Sequence, residues 1–380
     1  MQGGKASPRS TFLPQRESVH SQNGRVRREP LSVLYVGALH GTSGQRARTL
    51  AEMEHRVIAL PSGAPPHDSL RHQLQRLANL LRAPGNPLRP VLDAYGANRA
   101  IRLSLRARSY DVIWIDRGLA IRADTLRETR RASPSSFLVS YSLDDMSNPQ
   151  HQSRRWLASV SLYDMHVTNK SYNVAELQAM GASRVLFVDN AYDPQIHCPL
   201  QLSAEERSRF GARIGFVGHY ERERGEWILN LCEEGLEVCV HGPAWEGLRD
   251  RHPRLHVGAR YLDGLDYSRA VNATDINLGF LRKGNRDLQT TRSIEIPACG
   301  SFMLAERTDE HQRLFQEGVE AEFFDGFPEL LEKCRHYLAH SEARETIAAA
   351  GRRRCLASDY SYRGQLTGVL AAIREARTEA

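Results

Sequence analysis

Residues 275–304 read DINLGFLRKGNRDLQTTRSIEIPACGSFML, and the fold can be read outward from them. DINLGFL is an apolar run of strand type. A polar, cationic loop follows, then a helix start at Thr291-Arg292-Ser293-Ile294-Glu295, and SFML opens another strand after Gly300. A strand, a helix and a second strand in this order make a parallel pair with a helical crossover. Thr291, Arg292 and Glu295 fall within about one helical turn. A hydroxyl, a guanidinium and free backbone N–H groups can then face a pyrophosphate together, with Glu295 positioned to accept from ribose hydroxyls. A carboxylate beside Ile296 and Ala298 on a buried helix needs a polar partner, and a salt bridge to Arg292 is the plainer alternative.

The same alternation extends in both directions. Upstream in this half, Arg213–Val217 (RIGFV) is a strand, Glu221–Glu233 a helix and Leu236–Val240 a strand; downstream, Ile276–Phe280, Phe302–Leu304 and Ala321–Phe324 continue the series. Before a proline-punctuated break at Asn190–Leu202, strands are expected at Leu31–Gly37, Arg56–Leu60, Asp111–Ile115, Ser136–Tyr141, Met165–Thr168 and Val185–Val188. Gly41–Glu54 supplies a loop and a helix, and helical patterns cover about Ser69–Arg82 and Pro90–Arg108. Strands alternating with helices imply a parallel sheet covered on both faces. The expected fold class is therefore α/β, with two Rossmann-like parallel-sheet domains facing a central cleft at the carboxyl ends of their strands. The expected division is a disordered basic arm over 1–29, a first domain over 30–195, a second over 196–360, and a closing helix over 361–380 that can pack back on the first domain.

Composition narrows the function. The chain has 380 residues, 41% of them apolar, enough for two ordinary cores, and a formal charge of +6. The arm carries Lys5, Arg9, Arg16, Arg25, Arg27 and Arg28 without the apolar stretch of a signal peptide. It is either a solvated tail or a contact for an anionic membrane surface; nucleic acid is the less favoured partner. No apolar run approaches the ~20 residues that span a bilayer. The six cysteines lie at no zinc-ligand spacing, which suits a reduced, cytoplasmic protein. The turn Gly37-Ala-Leu-His-Gly41-Thr-Ser-Gly44 is not Gly-x-Gly-x-x-Gly, and the second strand ends without an acid, so a nicotinamide cofactor is not expected.

Two further segments carry candidate contacts for a phosphate and a base. RIGFV runs into Gly218-His219-Tyr-Glu-Arg222-Glu-Arg224-Gly225, where a glycine turn and cations at a helix start suit a diphosphate, although Glu221 and Glu223 could simply pair with the arginines. The next strand ends in His241-Gly242-Pro-Ala-Trp245; a base could stack on the indole, or the indole could cap the sheet's core. In the first half, Asp144-Asp145 follows SFLVSY and His40 follows the first strand. Any of the three could act as a general base, with Asp145 the first choice and a capping role for the Asp-Asp pair the alternative.

The order Gly218…Gly242-x-x-Trp245…Arg292-x-x-Glu295-Ile-Pro-Ala-Cys-Gly300, then Leu304-x-Glu306-Arg307, resembles the CgeB-like glycosyltransferases of the GT-B, group 1 class. The stretch Leu314–Asp325 with Pro328-Glu-Leu-Leu331 matches that family's tail, and the resemblance spans roughly 31–370. It implies sugar transfer from a nucleotide-sugar to an acceptor glycan, small molecule or protein, with no cofactor and no metal, and closure about the 190–202 segment. It also implies that Glu295 holds the donor ribose. Asp287 stands where the class has an earlier acid, His219 where it has an arginine, and Arg224-Gly225 where it has lysine-glycine. The cations left for the phosphates are Arg224, Lys283 and Arg292. A nucleotide-sugar epimerase, a non-catalytic sugar-nucleotide-binding or coat protein, and a basic nucleic-acid binder are the rival readings.

Overall fold

A computed structural model describes residues 11–12, 29–63, 70, 73–74, 77, 91–262 and 264–379. The chain divides into two compact units, residues 1–189 with 362–380, and residues 190–361. The break therefore follows Asp189 rather than residue 195, and the whole Asn190–Leu202 segment belongs to the second unit.

The first unit is built on a parallel sheet of β1 (Thr11–Phe12), β2 (Ser32–Gly37), β3 (Arg56–Pro61), β4 (Val112–Asp116), β5 (Phe137–Ser142), β6 (Met165–Thr168) and β7 (Val185–Phe187). The spatial order is β1-β7-β6-β5-β4-β2-β3. From β2, inside the sheet, the chain steps out to β3 and returns on the other side at β4. The point of reversal is where ligands of open α/β sheets bind. The central strands are buried along almost their whole length, as strands covered by helices on both faces must be. Val112–Ile115 shows this in sequence as an unbroken apolar run, and Phe137–Ser142 as a run interrupted only by small serines. The helix Tyr362–Thr378 closes this unit: Gln365 of the helix accepts from the Tyr141 hydroxyl at 3.1 Å and donates to the carbonyl of Asp189.

The second unit holds β8 (Ala212–Val217), β9 (Val238–His241), β10 (Leu255–Val257), β11 (Thr274–Gly279), β12 (Met303–Glu306) and β13 (Glu322–Phe324), all parallel, in the order β10-β9-β8-β11-β12-β13. Its reversal lies between β8 and β11, so the loops after Val217 and Gly279 sit at its switch point. Ile214, Phe216, Val238, Val240, Ile276, Leu278 and Leu304 pack its core.

Several expectations change. The helix expected from Pro90 starts at Ala97, because Asp93 caps it: its carboxylate accepts from the N–H groups of Ala97 and Asn98 at 2.7 and 3.0 Å. The expected helix over 69–82 is described only at Leu70, Gln73, Leu74 and Leu77, which are helical; its other residues lie outside the described ones. Within the arm read as disordered, Thr11 and Phe12 pair in parallel with Leu186 and Phe187, while residues 1–10 and 13–28 lie outside the described residues. β10 was not expected at all. Among the described residues, no helix is long and apolar enough to cross a membrane.

Candidate functional site

The loops at the carboxyl edge of the second sheet are stitched backbone to backbone. The Gly218 N–H donates to the carbonyl of His241 at 2.8 Å, and the Gly242 N–H to that of Ala259 at 3.0 Å. The Trp245 indole N–H donates to the Gly218 carbonyl at 2.8 Å. Trp245 is fully buried, with Phe216 and Tyr220 meeting it edge-on at 5.9 and 5.2 Å. No face of the indole remains for a base, so the stacking role expected for Trp245 is corrected to a core role. Gly242 likewise serves packing, since it stands against the backbone of Gly218.

The helix Arg222–Glu233 separates its two arginines. Arg222 points to solvent and pairs with Glu226 at 2.7 Å, one turn along. It is a solvated-face pair, which corrects its assignment to the donor site. Arg224 turns inward and is buried, its Nη1 donating to the His219 carbonyl at 2.9 Å and its guanidinium 5.5 Å above the Phe216 ring. Its Nε has no hydrogen-bond partner among the described residues. Burial lowers the pKa of Arg224 below the usual arginine value, Glu221 opposes that, and Arg292 adds to it; Glu306 and Asp287 act from the same side as Glu221. Two arginines and three acids thus share one electrostatic neighbourhood. The His219 ring is exposed and turns back to the Tyr220 carbonyl at 2.6 Å.

The loop after β11 brings the remaining cations. Lys283 pairs with Glu306 at the end of β12, and the other oxygen of Glu306 accepts from the Leu281 N–H at 2.6 Å. Lys283 keeps 56% of its side chain exposed, so it is anchored by one carboxylate yet open to an anion. The carboxylate of Asp287 accepts from the Asn285 amide at 2.6 Å. Thr291 and Arg292 are half-buried at the start of the helix Arg292–Ala298, and the Arg292 Nε donates to the carbonyl of Val217 at the end of β8. Arg224, Lys283 and Arg292 therefore collect around the ends of β8, β11 and β12.

Glu295 is buried one turn into that helix, and its contact is with His197, not Arg292: His197 Nε2 lies 3.6 Å from Glu295 Oε1. The Tyr267 ring stands perpendicular to His197, with centroids 5.5 Å apart. Burial, and then the Glu295 carboxylate, push the Tyr267 phenol well above its ordinary pKa, so it stays protonated beside the acid. Sequence reasoning missed His197 and Tyr267 and gave Glu306 a place in the motif but no contact; His197 sat in a stretch read only as a hinge.

In the first unit the three base candidates differ sharply. Asp145 is fully buried and accepts from the Ser147 N–H at 3.1 Å and the Asn173 amide at 2.9 Å. Asp144 pairs with Arg117 at 2.8 Å and remains partly exposed. His40 is exposed, caps the helix Gly41–Glu52 without a side-chain hydrogen bond, and follows the carboxyl end of β2. Beside that strand lies a buried cluster the sequence did not reveal. Arg46 Nη2 meets Asp116 Oδ2 at 2.6 Å, the Tyr35 hydroxyl donates to the same oxygen at 2.7 Å, and Arg46 stacks 4.3 Å over Tyr141. Burial, the largest influence, would lower Arg46, but Asp116 together with Tyr141, Tyr35 and Tyr362 outweighs it and raises its pKa. This pair fixes the end of β4 to the first helix.

The profile of a family described as Glycosyl transferase-like matches residues 222–371, less than half of the chain. No curated protein sequence matches. Among solved structures, Anabaena Alr3699/HepE in complex with UDP and glucose is 14% identical, covering 90% of this chain and 100% of its own, with a TM-score of 0.59. Sucrose-phosphate synthase from Thermosynechococcus elongatus is 12% identical over 93% of this chain and 100% of its own, TM-score 0.59. An alpha-glucosyltransferase in complex with UDP and a 13-mer DNA is 12% identical over 91% of this chain and 100% of its own, TM-score 0.61. At these identities the likeness establishes the fold, the two-unit α/β arrangement of GT-B glycosyltransferases.

Proposed function

We propose that this protein is a glycosyltransferase that moves a sugar from a nucleoside-diphosphate donor to an acceptor hydroxyl. The observation that carries the reading is the set Arg224, Lys283 and Arg292 gathered around the ends of β8, β11 and β12, with the Glu295 carboxylate one turn away. The family matched over residues 222–371, and neighbours bound to UDP, support it. The motif order from Gly218 to Arg307 favours a CgeB-like member acting in the cytoplasm, with the basic arm available to an anionic membrane face.

In this reading the bond between the anomeric carbon and the diphosphate oxygen breaks, and the acceptor oxygen takes the sugar. The leaving diphosphate gains charge as it departs, and Arg292, Lys283 and Arg224 offset that charge. Glu295 accepts from the ribose hydroxyls and fixes the nucleotide. The acceptor hydroxyl gives its proton to a base of the first unit. His40 is the strongest candidate, because Asp145 is enclosed by its own turn and Asp144 is engaged by Arg117.

The test is a melting-temperature screen with UDP-, GDP-, ADP- and dTDP-sugars, since a ligand at about 100 times its Kd stabilises the native state by about 2.7 kcal/mol. The donor that binds is then incubated with candidate acceptors. Acceptor-dependent release of nucleoside diphosphate supports transfer, whereas an isomerised nucleotide-sugar supports epimerisation. No shift with any donor overturns the reading.

A further inference from the structure

We infer that His197 is a positioning residue that fixes the Glu295 carboxylate for the donor ribose; this rests on the donor site proposed above. A carboxylate as buried as that of Glu295 needs compensation. Arg292 precedes it by three residues, yet the Arg292 Nε is committed to the carbonyl of Val217. The nearest basic group is instead His197, which reaches it from the Asn190–Leu202 segment.

The ring is held in one tautomer. Its Nδ1 accepts from the Asp193 N–H at 3.0 Å, so the neutral ring carries its proton on Nε2. Nε2 lies 3.6 Å from Glu295 Oε1, a contact longer than a hydrogen bond. The turn behind the ring is itself fixed, with the His197 N–H donating to the Asp193 carbonyl at 2.7 Å and the Gln195 N–H to the Asp193 carboxylate at 3.0 Å. Tyr267 packs edge-on against the ring and prevents it from swinging away. Seven residues earlier, Asn190 donates twice to the Gln289 side chain, through its N–H and its amide, each at 3.0 Å. The one segment thus grips the donor loop at Gln289 and the donor helix at Glu295.

Two substitutions separate positioning from folding. In His197→Asn the side-chain oxygen takes the place of Nδ1 and can still accept from Asp193, but no basic group reaches Glu295, which keeps only the neutral Tyr267 phenol beside it. In His197→Gln the amide nitrogen takes the place of Nε2. The probes are whichever of UDP, GDP or ADP binds the wild-type protein best and its 2′,3′-dideoxy counterpart, with affinities read by calorimetry. Wild type should prefer the ribonucleotide roughly ten- to a hundredfold, the range for hydrogen bonds to a charged acceptor. That preference should fall to near unity in His197→Asn, as in Glu295→Gln, and largely survive in His197→Gln. If His197→Asn keeps the wild-type ratio while both affinities fall together, the role is structural and the inference is overturned. If wild type binds the diphosphate without preferring ribose, the inference fails while the proposed function stands. If no diphosphate binds, the proposed function fails and takes the inference with it.

Discussion

Gly242 faces the carbonyl of Gly218 so closely that a β-carbon on Gly242 would lie 2.0 Å from that oxygen. The loops after β8 and β9 thereby lock together through backbone alone, and Gly242 holds φ +137° to do so, a conformation that L side chains rarely adopt. Gly242→Ala should lower stability by more than about 2 kcal/mol, because neither the clash with main chain nor the backbone strain can be relieved by a rotamer change. Gly284→Ala is the control, with open space around its α-carbon. Urea denaturation of both variants checks this; equal stability for the two would refute the packing role of Gly242.

The two arginines flanking the donor site make opposite predictions. Arg292→Ala should weaken nucleoside-diphosphate binding roughly ten- to a hundredfold, the usual loss of a charge-assisted phosphate contact. Arg222→Ala should leave binding unchanged, since Arg222 pairs with Glu226 on an exposed helix face. Titration calorimetry on correctly folded variants decides. Wild-type affinity in Arg292→Ala would remove it from the site.

His40→Ala should cut turnover about 10²–10⁴-fold with donor affinity and melting temperature near wild type, as expected for an exposed base. Asp145→Asn should do the reverse. Its Oδ1 accepts from both Ser147 N–H and the Asn173 amide, and an asparagine replaces that charged acceptor with a neutral one. That costs about 1–3 kcal/mol of stability while the chemistry survives. Steady-state kinetics beside thermal melts tests both, and a stable but inactive Asp145→Asn would return the base assignment to Asp145.

What the sequence disclosed and what it hid have physical explanations. Strands covered on both faces read as largely apolar runs, so the strands expected to end at Ile115 and Tyr141 were visible within one residue of their limits. β10 is three residues, Leu255-His256-Val257, at the sheet edge with His256 exposed, and carries no such run. The start of the helix at Ala97 was hidden because its cap, Asp93, lies four residues upstream across Gly96. The cationic segment around Lys283 and Arg292 was legible because its residue types are crowded together in the chain. The His197–Glu295 contact was not, because the partners lie almost a hundred positions apart and nothing local distinguishes a hinge histidine from one aimed at a carboxylate. The roles of Trp245 and Gly242 stayed open in the sequence for a related reason: a glycine at a strand end announces a close approach, but not whether ligand or backbone makes it.

Acidification should destabilise the fold well before its carboxylates titrate. His311 is fully buried between two fixed partners, its Nδ1 donating to the Glu306 carbonyl at 2.6 Å and its Nε2 accepting from the Ser293 hydroxyl at 2.6 Å. Burial lowers its pKa to about 4, and His166 of the first unit is lowered to about 4 in the same way. An unfolded histidine titrates near 6.5. Above that value both states are neutral and the full stability is present. As pH falls below about 6.5 the unfolded chain takes up a proton that the native ring refuses, so stability drops until about pH 4, where the native ring protonates too. Each histidine contributes on the order of 3 kcal/mol across this window. Glu329, drawn down to about 2 by Arg307, begins to lose its contribution only below roughly pH 4.5, so a comparison of about pH 7 with about pH 5 isolates the histidines. His55 and His241 are lowered by burial as well and add to the total, which is why the variant matters more than the overall slope. In His311→Gln the protein should be weaker near pH 7, having lost the ring stacked on Phe323, and should lose less stability on going to pH 5 by about the share of one proton. Urea unfolding at the two pH values measures both effects. An unchanged pH difference in His311→Gln would mean that the native ring is already protonated near neutrality and that its bond from Ser293 has been assigned the wrong way round.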